Sequence, residues 1–524
     1  MQIERTRLKA SRPSHPERKL RDEARGGLTT RASTPRSLAL HVPEPRTLIM
    51  ATAVWGDWYI DLYLDVNLPT LLAPGNLPAL ARYAEITYVI FTRAADSARI
   101  DAAPQIALLR RMMDVEIRLL ADGDLEDPIG THHRCWKMAT EQAERKGSFV
   151  LLLPPDTCWS ENSFASVVRR LERGERAIFM TYLRAESTTF VKALLERRDA
   201  GSVGLAVPPQ EMVELCVRSL HPLMAAYLRQ SDYFPTHSEM MLWAVPQEGF
   251  AARIFAREMF LYNPGELNLN PAALAARPLQ PGAASFITDS DELFAVSLAP
   301  LGKDIAWHLH PRKADPVDMA GWWLSYDSPA NDFLVGHKVR WHFAPTTETK
   351  WRAVEFGADL FVRRAAAIRE CMRLWQAARE LECSTAALIL ATAAHTGSAA
   401  RAARGRGPAI VFMPSDVAFA GPQDPLQWLL APGNKRELVH LLRAHYMPDA
   451  GAVVSARNPL EAMLGRQQEI EVRSALGPLR LQRAPDGAIR IGSARVLKGP
   501  HRVGLHCLYV VDGLLTNAAT ALDR

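Results

Sequence analysis

Phe149-Val-Leu-Leu-Leu153 is an unbroken apolar run that stops at Pro154-Pro155, and the first polar side chain past the stop is Asp156. A run apolar at every position is buried on both faces, the condition of a strand inside a parallel sheet. Proline brings no N–H to a ladder, so the strand ends there. A carboxylate therefore stands at the carboxyl end of a central strand, where open α/β sheets bind their ligands.

The surrounding chain agrees. Arg46 to Gly56 reads as a first strand and its turn, Asp57 to Leu72 as a helix interrupted near Pro69, and Glu85 to Thr92 as a second strand. Gln105 to Met113 has helical spacing, Val115 to Leu120 reads as a third strand, and Gly130 to Lys146 as a helix. Beyond the apolar run, Ser163 to Arg173 reads as a helix and Arg176 to Tyr182 as a fifth strand. Strand and helix alternate, which predicts an α/β fold with a mostly parallel sheet and crossover helices.

Charge narrows the function classes. The chain has 62 Lys and Arg against 57 Asp and Glu, a formal +5, but residues 1–46 hold eleven basic and five acidic side chains, leaving 51 against 52. The body is close to neutral and offers no electrostatic footprint for nucleic acid. Residues 1–45, rich in Arg, Pro, Ser and Thr, read as a disordered basic extension. Six scattered cysteines without a CxxC pair predict reduced thiols and a cytoplasmic protein. No run approaches the length of a membrane span.

The order of strands and helices, the helix His132-His-Arg-Cys-Trp-Lys137 and the segment Leu151-Leu-Leu-Pro-Pro-Asp156-Thr-Cys158 together resemble the nucleotide-binding half of a GT-A glycosyltransferase. The resemblance implies a GT-A-like domain over 46–312 that moves a sugar from a nucleotide-sugar donor to a hydroxyl of a carbohydrate or protein acceptor. It places donor contacts at Ala53, Val54, Trp55 and Gly56, at Thr92 and Arg93, at His133 and Lys137, and at Asp156. It also implies a divalent cation, Mn²⁺ or Mg²⁺, against the diphosphate.

The family's Asp-x-Asp pair is reduced here to Asp156-Thr157-Cys158, so a hard-oxygen ion lacks its second carboxylate. Further ligands are offered by Asp289-Ser-Asp291 and by His308 of His308-Leu-His310. Asp289 to Glu292 reads equally as an N-cap run before a helix over 292–298. The segment from Tyr233 to Trp243 is either a packed aromatic loop or a sugar-stacking surface in which Glu239 serves as catalytic base beside His237.

Residues 313–524 read as an accessory, mixed and mainly helical region: helices over 351–396 joined near Cys383, a strand at 408–413, a helix at 438–445 and an antiparallel unit over 473–511. Pro414-Ser-Asp416 mimics the Asp156 stretch without its helical prelude. Two other classes stay open: a catalytically silent GT-A-like binding or scaffold protein, favoured by the reduced Asp-Thr-Cys, and a sugar nucleotidyltransferase, disfavoured because Val54-Trp-Gly-Asp57 is not a Gly-rich basic loop.

Overall fold

The computed structural model describes residues 46–121, 126–199, 201–235, 239–255, 259–267, 284–302, 309–325, 329–395, 398, 408–420, 425–448, 450–504 and 506–515. The extension over 1–45, His237 and His308 lie outside them. The fold is mixed α/β, and its first sheet is mostly parallel.

That sheet runs β12-β6-β11-β4-β1-β2-β3, with β1 (Thr47–Ala53), β2 (Glu85–Arg93), β3 (Asp114–Leu120), β4 (Phe149–Leu152), β6 (Ala177–Phe179), β11 (Met259–Tyr262) and β12 (Ala284–Phe286). All pairings are parallel except those of β11, which is reversed between β4 and β6. Side chains alternate across the central strands. Ile49, Ala51, Val150 and Leu152 enter one core with Cys135, Ala139 and Ala143, while Leu48, Met50, Phe149 and Leu151 enter another with Ile60, Leu68 and Phe164. Each face is thus sealed by helices, which is why these strands carry no polar alternation. The chain moves outward from β1 through β2 to β3, then returns to place β4 on the other side of β1. The strand order reverses between β1 and β4, the kind of switch point at whose carboxyl ends open α/β sheets bind ligands.

The helix that leads into β4, Pro128–Lys146, has both ends fixed locally. Asp127 accepts from the Gly130 N–H at 3.0 Å, and Gly147 takes the left-handed conformation (φ 63°) past the last turn. The helical run after β1 continues through Pro69 instead of breaking. A π-turn over Tyr63–Asn67 widens the backbone ahead of the proline, which then sits in the first turn of Leu68–Leu71.

A second layer adds β5 (Thr157–Trp159), β7 (Leu183–Glu186) and β13 (Ala295–Ala299) in the order β5-β13-β7, and β15-β10-β9 from β9 (Met240–Val245), β10 (Gly249–Ile254) and β15 (Val339–His342). Two expectations are corrected here. Residues 295–299 are a strand and not part of a helix over 292–298, because both edges of the segment find ladder partners, Trp159 opposite Ala295 and Leu183 opposite Val296. Trp243 lies in strand β9 and not in a loop. At Gly249 a Cβ would meet the Trp341 carbonyl oxygen at 2.0 Å, so only glycine lets β15 come this close.

Residue 313 does not interrupt packing. Phe234, Met241 and Trp243 share a core with Ala314, Trp323, Trp351 and Phe361. The helix Glu348–Glu380 begins in that core and ends in the next, where Ile368, Leu374 and Ala378 pack with Ile389, Val411, Leu438 and Leu508. The last sheet is β17-β16-β22-β21-β20-β19-β18, from β16 (Ile410–Pro414), β17 (Tyr446–Met447), β18 (Glu469–Arg473), β19 (Pro478–Arg483), β20 (Ile489–Ile491), β21 (Ala494–Val503) and β22 (His506–Val511). Only β16 and β22 pair in parallel. A short pair, β8 (Phe234–Pro235) with β14 (Leu309–His310), completes the strands. Asp416 of the Pro-Ser-Asp mimic caps the helix Ser384–His395, accepting from Thr385 N at 2.7 Å. Among the described residues no helix is long and apolar enough to cross a membrane, and the six cysteines are free and buried.

Candidate active site at the switch point and a separate Asp-Asp-His group

The loop after β1 is tied to the end of β2. Val54 N donates to Phe91 O at 2.9 Å, and Gly56 N to Asp96 Oδ2 at 2.8 Å. Asp96 also holds the Arg93 guanidinium (Nε to Oδ2 2.6 Å), so Arg93 is spent on fixing this loop. Ala53 and Val54 are buried, Trp55 is half-buried, and Thr92 is enclosed with its Oγ1 lacking a partner. Gly56, at φ 83°, has open space where a side chain would stand. Just beyond it the exposed rings of Trp58 and Tyr59 meet edge to face at 4.6 Å. His133 and Lys137 lie on the exposed face of their helix, where Lys137 approaches Glu141 at 3.8 Å. The inward histidine is His132, packed on Trp136 at 4.3 Å, with burial pulling its pKa down to about 4.

Asp156 stands where the sequence put it, past the end of β4. The half-buried Asp156 accepts from Leu298 N at 2.8 Å on its backbone oxygen, and its carboxyl contacts Ser297 of β13. Burial raises its pKa, and the Arg184 charge and the Ser297 hydroxyl only partly offset this. Tyr59 is raised too, by burial first and then by the Asp156 charge. Cys158, two residues on, is fully buried with its Sγ 3.5 Å from Val296 O, and an acid in its place would lie in the core.

Arg184, on β7, lies opposite Ser297 in the ladder with β13, and the Ser297 hydroxyl touches Asp156. Among the described residues no carboxylate ion-pairs with Arg184, and its buried Nε has no hydrogen-bond partner. Its field acts on Asp156, Tyr59, His221 and Tyr227. Tyr227, raised by burial and then by Glu239, brings the second sequence-predicted acid into the same surroundings, and Glu239 itself is exposed. A guanidinium without a carboxylate partner can receive an anion. His221 is occupied structurally, with Nδ1 accepting from Leu223 N and Nε2 3.3 Å from Pro300 O.

Two residues past Arg184, Glu186 starts the helix Ser187–Leu195 by accepting from Thr188 N at 2.7 Å and Thr189 N at 2.8 Å. Burial works against its charge, yet these hydrogen bonds draw its pKa down to about 2. Its unfolded value is near 4.3. The carboxylate therefore stabilises the fold above about pH 4.3, and the contribution fades as the pH falls towards 2. Glu186→Gln is expected to cost about 1–2 kcal/mol at neutral pH, with the two stability curves converging near pH 2 in urea titrations. A constant gap across that range would refute the capping role.

Asp289 and Asp291 are brought together with His342, and the three side chains form a group that can hold a metal ion. His342 Nε2 lies 3.2 Å from Asp289 Oδ1 and 3.5 Å from Asp291 Oδ2, and its Nδ1 faces Ala344 O at 3.3 Å. The Asp289 hydrogen bond raises the His342 pKa against burial. Burial opposes the charge on Asp289, but His342 and the Asp291 N–H hold its pKa below the ordinary value. Asp156 does not belong to this group. It opens the β5/β13 ladder at Leu298, whereas Asp291 lies beyond the far end, where Ser160 N bonds Phe294 O. Glu239 and His342 are likewise at opposite ends of β9 and β10, beside Phe255 and Gly249.

Sequence reading missed Arg184, Tyr59 and His342. Arg184 and His342 sit on strands of four residues, and only the alternation Val339-Arg-Trp-His342 hinted that a histidine and an arginine share a face. Comparison of the chain with protein-family models and with curated proteins finds no match.

Proposed function

We propose that the switch point at the carboxyl ends of β1 and β4 binds a nucleotide-sugar donor and that the protein transfers its glycosyl unit to an acceptor hydroxyl. The observation that carries this reading is Arg184, without an ion-paired carboxylate among the described residues, opposite Ser297, whose hydroxyl touches Asp156 past the end of β4. The guanidinium offsets the diphosphate charge that grows as the glycosidic bond breaks. Trp58 and Tyr59 offer ring faces to the base or sugar, and the open backbone at Gly56 lets the donor come close. Asp156 accepts hydrogen bonds from donor hydroxyls, and Glu239 removes the acceptor proton.

A divalent ion, Mn²⁺ or Mg²⁺, does not fit at Asp156. One carboxylate remains there, its neighbour Cys158 faces the core, and the adjacent group is a cation. The diphosphate charge in this reading falls to Arg184.

Titration calorimetry with nucleoside diphosphates and their sugars, followed by product analysis, tests the proposal. Binding is expected to survive EDTA and to persist in Glu239→Gln, while turnover of that variant falls about 10²–10⁴-fold. Asp156→Ala is expected to abolish transfer. Absence of binding by any nucleotide would leave a silent binding module, and a Glu239→Gln enzyme of full rate would remove the assigned base.

A further inference from the structure

We propose that Asp289, Asp291 and His342 form a site for a borderline divalent transition ion, Zn²⁺ before Mg²⁺ or Ca²⁺, which clasps the segment after β12 to β15 and takes no part in the switch-point site. The inference does not rest on the glycosyltransferase reading.

Donor chemistry selects the class of ion. An imidazole nitrogen with two carboxylate oxygens suits zinc-like ions, whereas Mg²⁺ and Ca²⁺ favour all-oxygen shells. Geometry agrees. Ligands about 2.1 Å from a tetrahedral centre stand roughly 3.4 Å from one another, and the Nε2 to carboxylate separations are 3.2 and 3.5 Å. All three ligand atoms lie within 4.8 Å of one another.

Groups outside the cluster set the histidine for this use. Nδ1 faces the Ala344 carbonyl and donates to it, so Nε2, which donates to Asp289 in the ion-free protein, is the nitrogen that gives up its proton to an ion held between the two acids, as outer partners arrange for metal-bound histidines. The ring is 5% exposed, fixed between strand and helix near Trp351 at 6.3 Å. The backbone is pre-set as well. Ser290 N donates to Arg340 O at 3.0 Å, Arg340 N to Thr288 O at 2.8 Å, and His342 N to Ser290 Oγ at 3.1 Å. Ligands from positions more than fifty residues apart are thus aligned before an ion arrives. The acids remain 45% and 54% exposed, which gives an ion a way in and leaves its fourth position to water.

Protein stripped with a chelator, then titrated with Zn²⁺, Mn²⁺ and Mg²⁺ under calorimetry, with bound metal counted by mass spectrometry, tests the site. One Zn²⁺ per chain is expected, with Mg²⁺ at least a hundredfold weaker, and Co²⁺ is expected to give the visible absorption of a tetrahedral centre. His342→Gln is expected to weaken Zn²⁺ by more than about a hundredfold, beyond what loss of an outer partner does. Asp291→Asn, at an exposed position, serves if the buried variant fails to fold. Asp156→Asn is expected to keep the ion, which separates this site from the switch point. Zinc binding that ignores both ligand variants, or none at all, would overturn the proposal and leave an ion pair between His342 and the acids only.

Discussion

Replacing Arg184 with methionine is expected to lower nucleoside-diphosphate affinity or donor turnover by about 10²–10³-fold while leaving the melting temperature unchanged or slightly higher. The first half follows from charge. Losing one preorganised donor to a developing anion in an enclosed site removes about that factor, and no other cation is shown acting on Asp156. The second half follows from the lack of a native partner. A guanidinium with an unsatisfied buried Nε contributes little to folding, and its removal strands no carboxylate ion pair. The Asp156 pKa would only move further in the direction in which burial already pushes it, since Arg184 opposes that rise. A residue whose loss spares stability but destroys binding is there for the ligand. Unchanged diphosphate affinity in Arg184→Met would sink the assignment, and Arg184→Lys is expected to retain part of it.

Trp351→Ala is the second large effect, and it acts on stability. The indole is fully buried in the core that joins β9 and β10 to the helices beyond residue 313. Its Nε1 donates to Glu248 at 2.9 Å, and the Arg340 guanidinium lies 5.3 Å from its ring centre. Truncating a buried tryptophan costs about 3–5 kcal/mol. Glu248 would keep Lys350 Nζ at 2.8 Å and Thr347 N at 2.7 Å, so the loss is mainly one of packing. Urea denaturation followed by near-ultraviolet dichroism should show the midpoint falling with the slope preserved. A cost below about 1 kcal/mol would mean that the strands and helices are held together elsewhere.

How much of this could be read from residues alone depended on burial and distance. β1, β2 and β4 were legible because they are buried almost throughout and bounded by Gly, Pro or polar turns, whereas β3, the half-exposed edge strand, was legible from its place in the strand–helix alternation. β11 was not, since Met259-Phe-Leu-Tyr262 is a strand only because β4 and β6 leave a gap of the right width. Ala295-Val-Ser-Leu-Ala299 has neither a clear alternation nor a helical stripe, and its neighbours decided its state. The position of Asp156 was legible because it is local: it is the first polar group after a buried strand. Arg184 and His342 acquire theirs from partners far along the chain, and no spacing rule reaches that far.

The helix Glu348–Glu380 has 33 residues, or roughly 50 Å at 1.5 Å each. Trp351, Ala358, Phe361 and Ala365 root its first half beside β9 and β10, and Ile368, Cys371, Leu374 and Ala378 root the second against the last sheet. With one unbroken helix anchored in both cores, the helix itself supplies no joint at which the two could swing apart. Movement along it is shear, a sliding of side chains by small steps, and not hinge closure.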